Sequence, residues 1–341
     1  MAEIINFSDS AQPTENALSE LHELFRDDLK EVEAVIDAHM HSAAHLIPTI
    51  SDHLIGAGGK RLRPLLTLTA ARLAVYQGTH HITMAAAVEY MHSATLLHDD
   101  VVDDSDLRRG KPTARRVWGN AASVLVGDFL LGQAFRMMVS AGNLRALDIL
   151  SNAAAVIAEG EVMQLAAMND AQITEDRYLQ IIDAKTAALF AAAAEVGGVI
   201  GDASSAECAA LTSYGRNLGI AFQLIDDALD YGSVGQVLGK NTGEDFREGK
   251  MTLPVILSYH RGDAAARQFW QDVVAQPDGQ THDENFAHAL KLMQETGALS
   301  DTVARAAHYG EKAKDALGLF ADSETRRLLS RLVDFCIARA Y

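Results

Sequence analysis

Two copies of one acidic motif lie far apart in the chain, and each has the form DDxxD. The first runs from Asp99 to Asp103, and the second runs from Asp226 to Asp230. If each segment is helical, residues four apart share a face, so the outer aspartates of each motif point the same way. Carboxylates held this close repel one another and raise each other's pKa unless a cation lies between them. The spacing therefore predicts two carboxylate clusters that bind a hard divalent cation, Mg2+, carried with a diphosphate.

The setting of the motifs favours a functional role over a solvated acidic surface. Each motif follows a largely apolar segment, TLLH before the first and FQLI before the second, so both helices are expected to be mostly buried. An unpaired buried carboxylate is costly, whereas a metal-bound carboxylate is not. One DDxxD alone would be weak evidence, because acidic residues on helices usually face solvent. Two identical motifs in apolar surroundings are much stronger evidence for a metal–diphosphate site.

Basic residues cluster at two places in a chain whose formal net charge is -17. The segment GGKRLRP places Lys60 and Arg63 about one helical turn apart after a glycine turn. The segment RRGK, at 108–111, directly follows the first acidic motif. Arginine binds phosphate oxygens through two parallel hydrogen bonds, and lysine supplies a point charge. Both segments predict diphosphate binding, and the alternative is a surface salt-bridge network with neighbours such as Asp104 and Asp106.

Together these segments resemble the trans-isoprenyl diphosphate synthases, and most closely the bacterial long-chain group of octaprenyl and decaprenyl diphosphate synthases. The resemblance rests on GGKRLRP, LLHDDVVDDSDLRRGKPT, FQLIDDALDY and GKNTGEDFREGK, in that order between Leu54 and Pro254. It implies an all-α fold of the isoprenoid synthase type, in which roughly ten or more helices surround a central cavity. It also implies a single domain over residues 1–341 and a prenyltransferase that condenses isopentenyl diphosphate onto an allylic diphosphate such as farnesyl diphosphate.

The resemblance further implies a role for each residue that matches a family motif. The residues implied to hold Mg2+, or to complete its shells, are Asp99, Asp103 and Asp226, supported by Asp100, Asp227 and Asp230. The residues implied to bind isopentenyl diphosphate are Lys60, Arg63, His92 and Arg109. The residues implied to contact the allylic diphosphate or stabilise the leaving group are Arg108, Lys185, Thr186, Gln223, Lys240 and Lys250. The catalytic residues among these are Asp99, Asp103, Asp226, Lys185 and Lys240.

The implied chemistry agrees with these residue types. Mg2+ and cationic side chains neutralise the charge that develops as the allylic carbon–oxygen bond ionises. The double bond of isopentenyl diphosphate then attacks the allylic cation, and the departing diphosphate is the expected base for the proton that leaves. Water must be excluded from this cation. Lys240 and Lys250 lie on a glycine-rich segment that suits a lid over diphosphate, and an ordinary flexible connection is the alternative.

A small residue beneath the first acidic motif bears on product length. Ala94 precedes Asp99 by five positions, which is roughly 7.5 Å along a helix. The resemblance implies that a bulky aromatic side chain at this position closes the product channel and stops chain growth early. Ala94 is small and leaves the channel open, so it predicts a product longer than farnesyl diphosphate. Close helix packing explains a small residue there equally well. Phe135 is the candidate for a residue that closes the product tunnel further from the aspartates. The alternative is core packing, which is the usual role of aromatic and methionine residues on such a helix.

Three other functions fit parts of the pattern. His98 beside Asp99 suggests an HD-type phosphohydrolase, but the second motif carries no histidine. Terpene cyclases and head-to-head synthases resemble this fold, but they usually have a differently patterned second metal motif and lack the GGKRLRP segment. A non-catalytic subunit of a heteromeric synthase is expected to have lost acidic motifs, and both are intact in this chain.

The elements that must position these residues are helices. Only six prolines occur in 341 residues, and none lies between Pro112 and Pro254, which favours helix over strands and turns. Apolar periodicity and cap residues predict long helices over 18–36, 62–76, 83–103, 120–140, 144–168, 174–200 and 206–231. About four shorter helices are predicted to follow them. A loop is predicted around 110–112, and a glycine-rich loop over 232–249.

Composition narrows the class of protein and its partners. The acidic net charge argues against nucleic acid, because phosphate backbones need a basic face. Cys208 and Cys336 are too few for a disulfide framework or a thiolate metal site. No signal peptide is evident at the start of the chain, and the most apolar run, 187–201, contains Glu195 and is too short for an integral membrane segment. These features predict a cytoplasmic protein. The resemblance implies a homodimer that makes the precursor of the ubiquinone side chain, with peripheral membrane contact for product release.

Overall fold

The computed structural model describes residues 16–55, 59–108, 110–232, 243–275 and 282–339, and their regular structure is almost entirely helical. The helices of the first half are α1 (Asn16–Leu24), α2 (Arg26–His39), α3 (Leu46–Ile55), α4 (Leu62–Leu73), α5 (His80–Val102), α6 (Ala114–Trp118), α7 (Asn120–Ser140) and α8 (Leu144–Ala167). Those of the second half are α9 (Glu175–Ile182), α10 (Ala188–Ile200), α11 (Ser205–Asp230), α12 (Glu244–Arg247), α13 (Leu253–Arg261), α14 (Ala264–Ala275), α15 (His282–Glu295), α16 (Ala298–Ala316) and α17 (Glu324–Ala338). The predicted all-α class is confirmed.

Two segments differ from the predicted boundaries. The helix predicted over 18–36 is interrupted at Phe25, whose φ of -112° and ψ of 21° lie outside the helical region. The loop predicted around 110–112 lies in a short hairpin, in which β1 (Leu107–Arg108) pairs antiparallel with β2 (Lys111–Pro112), so 111–112 is strand rather than loop. Gly110 has a φ of 74° at the turn, a left-handed conformation that glycine adopts without steric cost. The hairpin therefore fixes the backbone of Arg108 next to the first acidic motif.

The second acidic motif lies at the end of α11, the longest helix among the described residues. Ser204 caps this helix with a capping box: its hydroxyl accepts the Glu207 N–H at 3.2 Å, and the Glu207 carboxylate accepts the Ser204 N–H at 2.8 Å. The helix then continues for 26 residues to Asp230. Thr174 caps α9 in a similar way, as its position in the sequence predicts. A firmly started helix fixes the direction in which the motif faces.

The buried apolar residues form two clusters, which meet at one level of the molecule. On α11, Leu218 belongs to the first cluster and Ile220 to the second. Where the chain enters α10, Ala187 belongs to the second cluster and Leu189 to the first. Gly219 packs closely on Ala187, since a Cβ at position 219 would lie 2.7 Å from the Ala187 Cα. We call this level the seam. The first acidic motif follows the part of α5 in the first cluster, and the second motif adjoins α11 residues of the second cluster.

Helix α7 packs along α5 and leaves one side exposed. By length and composition it is the single helix within the described ranges that could cross a membrane, and 44% of its apolar window is buried. Large apolar side chains are exposed on α7 and the adjoining α8: Val124, Leu125, Val139, Leu144, Val162 and Leu165. We call these six residues the α7–α8 face. Its apolar character shows that α7 has a second surface without a partner among the described residues.

Candidate active site

The outer aspartates of the first motif lie near the C-terminal end of α5, and neighbouring groups only partly offset their negative charge. Burial raises the pKa of Asp99 to about 7, and the nearby charges of Lys185 and Glu161 act on it in opposite directions. Asp103 Oδ2 accepts a hydrogen bond from Lys250 Nζ at 2.9 Å. Asp103 Oδ1 is buried and accepts no hydrogen bond from any described residue. A bound cation relieves both conditions, because it favours the ionised carboxylate and occupies its free oxygen.

The inner aspartate of the first motif holds a basic residue. Asp100 is 1% exposed, and its Oδ1 accepts from Arg108 Nε at 2.9 Å and Nη2 at 2.8 Å. The surface acids of the hairpin pair elsewhere, because Arg115 forms ion pairs with both Asp104 and Asp106. Arg108 is therefore anchored from behind by Asp100, which fits the predicted supporting role of that aspartate.

The inner aspartate of the second motif is enclosed by hydrogen bonds. Asp227 is 3% exposed and accepts from the Tyr178 hydroxyl and from Gln223 Nε2, the latter at 2.8 Å. Thr186 Oγ1 in turn donates to Gln223 Oε1 at 2.9 Å. Burial raises the pKa of Asp227 to about 7, despite these donors. Three of the predicted residues thus form one connected network, in which Asp227 positions its neighbours.

The outer aspartates of the second motif have different partners. Asp230 accepts the backbone N–H groups of Glu244 at 3.1 Å and Asp245 at 3.0 Å, so it fixes the start of α12. Asp226 is 38% exposed, and Arg339 Nη2 lies 3.7 Å from its Oδ1. Burial holds the pKa of the Asp245 carboxyl well above its usual range. Asp226 is therefore a partly exposed carboxylate near the C-terminal end of α11.

Lys185 and Thr186 lie in a π-helical turn, Asp183–Ala187, that joins α9 to α10. Such turns interrupt the regular α-helical spacing and are frequent at functional sites. Lys185 Nζ donates to Glu161 Oε2 on α8 at 2.7 Å. The turn lies at the seam, so it presents two predicted site residues where the two apolar clusters meet.

The start of α4 and the residue before it are tied to α5 at two points. Arg61 has a φ of 48° and forms an ion pair with the buried carboxylate of Glu89. Arg63 Nη1 lies 3.1 Å from His92 Nε2, one turn further along α5. Lys60 precedes these two arginines, at the start of the same short segment. The structure therefore brings together Arg63 and His92, which were predicted to bind one diphosphate, and Arg61 serves to hold the segment.

A lysine links the two sides of the site. Lys250 Nζ lies 2.9 Å from Asp103 and 2.6 Å from Glu248, and Ser105 Oγ donates to Glu248 at 3.3 Å. Burial opposes the charge of Lys250, but the carboxylates around it give a net rise in its pKa. The segment after the second motif thus reaches the end of the first. Lys240 and Arg109, which were also predicted for this site, lie outside the described residues.

The residues fit a metal that is shared with a diphosphate. Within the described ranges, no group of three His, Cys, Asp or Glu side chains comes close enough to hold an ion alone. Asp99 and Asp103 supply two carboxylates, and one oxygen of Asp103 is unsatisfied. Mg2+ is usually bound by one or two carboxylates and takes its other ligands from water and substrate phosphates. The donor set suits that arrangement better than a metal site built by protein groups alone.

His98 does not support the phosphohydrolase alternative. Its Nε2 lies 3.2 Å from the Val124 carbonyl oxygen and 3.5 Å from the Asp128 carboxylate, both on α7. The ring is packed against Gly127, where a Cβ would lie 2.3 Å from Nε2. His98 therefore faces the neighbouring helix, and Gly127 makes room for it.

The two predicted chain-length residues lie in different surroundings. Ala94 is 1% exposed and packs in the first apolar cluster on α5. Phe135 is partly buried on α7, whereas Met137 and Met138 of the same helix are fully buried. The position of Ala94 beneath Asp99 agrees with the predicted helix geometry. Phe135 lies at the margin of the core and remains a prediction as a floor.

Four residues around the site were not singled out from the sequence. Asp245 lies within the matched segment GKNTGEDFREGK, so an acidic residue between two lysines was a usable signal. Glu161 and Tyr178 gave no local signal, because their partners are 24 and 49 residues away. Arg339 lies near the C-terminal end, far beyond the matched segments. Such residues are found only when the fold brings distant helices together.

Known proteins resemble this chain over most of its length. The family model for polyprenyl synthetases matches residues 44–293. Octaprenyl diphosphate synthase from Escherichia coli (strain K12) is 44% identical over 322 residues, 94% of this chain and 99% of that protein. A crystal structure of polyprenyl synthase from Caulobacter crescentus CB15, complexed with calcium and isoprenyl diphosphate, has a TM-score of 0.91 and 48% identity over 95% of this chain and 98% of that one. A decaprenyl diphosphate synthase from Rhodobacter capsulatus has a TM-score of 0.91 and 49% identity, over 95% and 99% of the two chains. The chain belongs to the polyprenyl synthetase family and is a prenyltransferase.

Proposed function

We propose that the protein is a long-chain all-trans polyprenyl diphosphate synthase, which makes octaprenyl or decaprenyl diphosphate from farnesyl diphosphate and isopentenyl diphosphate. The observation that carries the proposal is the contact of the two motif regions, where Lys250 joins the segment after the second motif to Asp103 of the first. A site of this kind offers carboxylates for metal ions and cations for phosphate in one place. The names of the Escherichia coli and Rhodobacter capsulatus relatives support the two product lengths.

Each side chain has a defined part in the proposed reaction. Asp99, Asp103 and Asp226 would hold Mg2+, which as a Lewis acid neutralises charge on the diphosphate when it is bound. Lys185 and Lys250 would add positive charge as the allylic carbon–oxygen bond breaks, a contribution that exists only as charge develops. Arg108, oriented by Asp100, would bind the same diphosphate, and Thr186, Gln223 and Lys240 would complete that site.

The second substrate would be held from α4 and α5. Lys60, Arg63, His92 and Arg109 would bind the diphosphate of isopentenyl diphosphate and direct its double bond at the allylic cation. Holding two reactants in this way turns the condensation into a step within one complex. The proton would pass to the departing diphosphate, whose oxygens remain beside the new bond. Exclusion of water protects the cation until then.

A homodimer through the α7–α8 face belongs to the same proposal. An exposed apolar surface of this kind on a soluble enzyme usually marks an interaction site. A second copy supplies an identical apolar face, and two-fold dimers are the commonest symmetric oligomers. A cytoplasmic location, one domain over residues 1–341, a role in making the ubiquinone side chain and peripheral membrane contact for product release complete the proposal.

Product analysis tests the proposed activity. Purified protein is incubated with farnesyl diphosphate, labelled isopentenyl diphosphate and Mg2+, and product length is measured by chromatography. Octaprenyl to decaprenyl diphosphate is expected, and removal of Mg2+ by chelation should abolish incorporation.

Asp103→Asn should lower the rate by at least ~100-fold, because a charged metal ligand is lost while the side-chain size is kept. Failure to incorporate label with any allylic primer would overturn the proposal, and a cyclic hydrocarbon product would favour a terpene cyclase.

A further inference from the structure

We propose that Glu161 is a positioning residue, which holds the ammonium group of Lys185 away from Asp99 and so leaves Asp99 available to the metal–diphosphate complex. The inference concerns the site of the proposed condensation reaction and rests on that function. Glu161 lies on α8, outside every motif that the sequence presents. The only hydrogen-bond partner of its side chain among the described residues is Lys185.

The backbone around Glu161 is arranged for this contact. Gly160, the preceding residue of α8, touches the π-helical turn, where a Cβ at position 160 would lie 2.7 Å from Lys185 N and 3.0 Å from Ala184 C. Only a residue without a side chain permits this approach. The approach brings the Glu161 carboxylate to Lys185 Nζ at 2.7 Å. Both side chains are less than one-fifth exposed, at 17% and 19%, so solvent screens the pair weakly.

The ammonium group of Lys185 lies near two carboxylates, those of Glu161 and Asp99. The charges of both Lys185 and Glu161 act on Asp99, so the three groups interact electrostatically. Without Glu161, the ammonium group would pair with Asp99 and would compete there with a metal ion. With Glu161 present, Lys185 is held on the α8 side. The metal position at Asp99 and the phosphate position at Lys185 then stay distinct.

The second oxygen of Glu161 separates this role from simple structural support. Glu161 Oε1 is buried and accepts no hydrogen bond from any described residue. A buried carboxylate that serves only packing normally has its oxygens satisfied by the fold. The contact that Glu161 does make, from Oε2 to Lys185 Nζ, needs only one oxygen. A single contact to one cation therefore points to a role in placing Lys185 rather than to a set of packing contacts.

A double-mutant cycle on Glu161 and Lys185 tests the inference. Glu161→Gln keeps the size of the side chain and removes its charge. We expect kcat with farnesyl diphosphate to fall about tenfold and half-saturating Mg2+ to rise about threefold, with KM for isopentenyl diphosphate unchanged within about twofold. In a Lys185→Met background, Glu161→Gln should change neither quantity by more than about twofold, because its partner is gone. Glu311→Gln is the matched control, since Glu311 pairs with Lys314 on the surface, where it is 67% exposed.

Calorimetry of magnesium and inorganic diphosphate binding provides a readout that needs no turnover. Weaker binding is expected for Glu161→Gln alone, and no further loss when it is added to Lys185→Met. Equal losses in both backgrounds would overturn the inference, because Glu161 would then act on the ligand directly. A Glu161→Gln variant that matches wild type would overturn it as well.

Folding and the parent proposal are controlled separately. Circular dichroism and Tm establish that each variant folds. If Glu161→Gln does not fold, Glu161→Asp supplies the test, since it keeps the charge but withdraws the carboxylate and should lower kcat to an intermediate value. Wild-type protein that incorporates no isopentenyl diphosphate would defeat the proposed function. The diphosphate-binding cycle would still decide the role of Glu161 in that case.

Discussion

The aspartates of each acidic motif differ in what their carboxylates contact. The inner aspartates are committed to the protein, Asp100 to Arg108 and Asp227 to Tyr178 and Gln223. Among the outer ones, Asp103 keeps one oxygen available for a ligand, whereas Asp230 accepts two backbone N–H groups at the start of α12. In the proposed site the first two aspartates of each motif have different roles, because the first would bind the metal and the second orients the side chains around it.

The raised pKa of Asp99 predicts a specific dependence of stability on pH. Its folded-state pKa of about 7 lies above the reference value of 3.8, so the folded protein holds this proton more tightly than the unfolded chain. The contribution of Asp99 to the free energy of unfolding is fully present below pH 3.8 and is lost as the pH rises to about 7. Asp99→Asn should therefore be more stable than wild type at pH 8 by about 2 kcal/mol. The full shift of about three pKa units corresponds to about 4 kcal/mol, and solvent access to this partly exposed carboxyl reduces that value.

Denaturant unfolding at pH 5 and pH 8 checks this expectation. The difference between Asp99→Asn and wild type should shrink towards pH 5, and saturating magnesium and diphosphate should remove it at pH 8. Asp148→Asn, at an exposed site on α8, is the control and should show no such trend. A stability difference that is the same at both pH values would contradict ionisation of the partly buried Asp99 as its cause.

Ala94 predicts how a single side chain limits product length. Ala94→Phe fills space one to two turns below Asp99, so chain growth should stop within a few isoprene units of the primer. Because Ala94 is 1% exposed, a larger side chain should also cost about 1–3 kcal/mol of unfolding free energy. Chromatography of the products measures length, with Ala94→Ser as the control of similar size. Products of unchanged length would mean that Ala94 serves helix packing alone.

At the scale of helices, the sequence predicts the long elements better than their irregularities. Apolar spacing identifies α7, α8 and α11 because each buries one face along its whole length. The π-helical turn at Asp183–Ala187 was not predicted, since its residues suit an ordinary α-helix and only its packing against α8 reveals the wider turn. The break at Phe25 and the hairpin before α6 were not predicted for a related reason, because tertiary contacts rather than local preference decide such short segments.

The candidate site was predictable to the extent that its residues lie in motifs. The aspartates and Arg63 were identified by type and spacing, and His92 was implied by the resemblance to the family. The structure brings Arg63 and His92 within 3.1 Å. Glu161 and Tyr178 were not, because nothing near them in the chain indicates their partners. A local pattern reports which residues a ligand touches, whereas the residues that orient them come from distant helices.

Gly160 provides a test of the contact between α8 and the π-helical turn. Gly160→Ala introduces a Cβ 2.7 Å from Lys185 N, so the turn must shift by a few tenths of an ångström or more. We expect kcat to fall about tenfold while KM for isopentenyl diphosphate changes little, because Lys60 and Arg63 lie on another element. Steady-state kinetics measures both. Gly318→Ala is the control, because a Cβ there meets nothing within 4 Å, and equal kinetic effects in the two variants would contradict the prediction.

At the scale of the whole molecule, the α7–α8 face predicts how two copies associate. Leu125 is a 66% exposed member of this face, so Leu125→Asp should place two like charges in a two-fold interface. We expect the variant to sediment as a monomer at concentrations where wild type is a dimer. Leu319→Asp is the control, since Leu319 is 55% exposed on a different part of the surface. A wild-type monomer, or a dimer that survives Leu125→Asp, would exclude this face as the interface.

The seam at Ala187 and Gly219 has a consequence for how the protein melts. Two apolar clusters that share few helices are able to unfold as separate cooperative units. A ligand that contacts residues on both sides stabilises the state in which both units are folded, by mass action. Scanning calorimetry of the ligand-free protein should therefore show a broad or double transition, and magnesium with diphosphate should merge it into one sharper transition at higher temperature. A single sharp transition without ligand would show that the clusters already unfold together. If the expected merging occurs, occupancy of the site decides whether the enzyme unfolds in one step or in two.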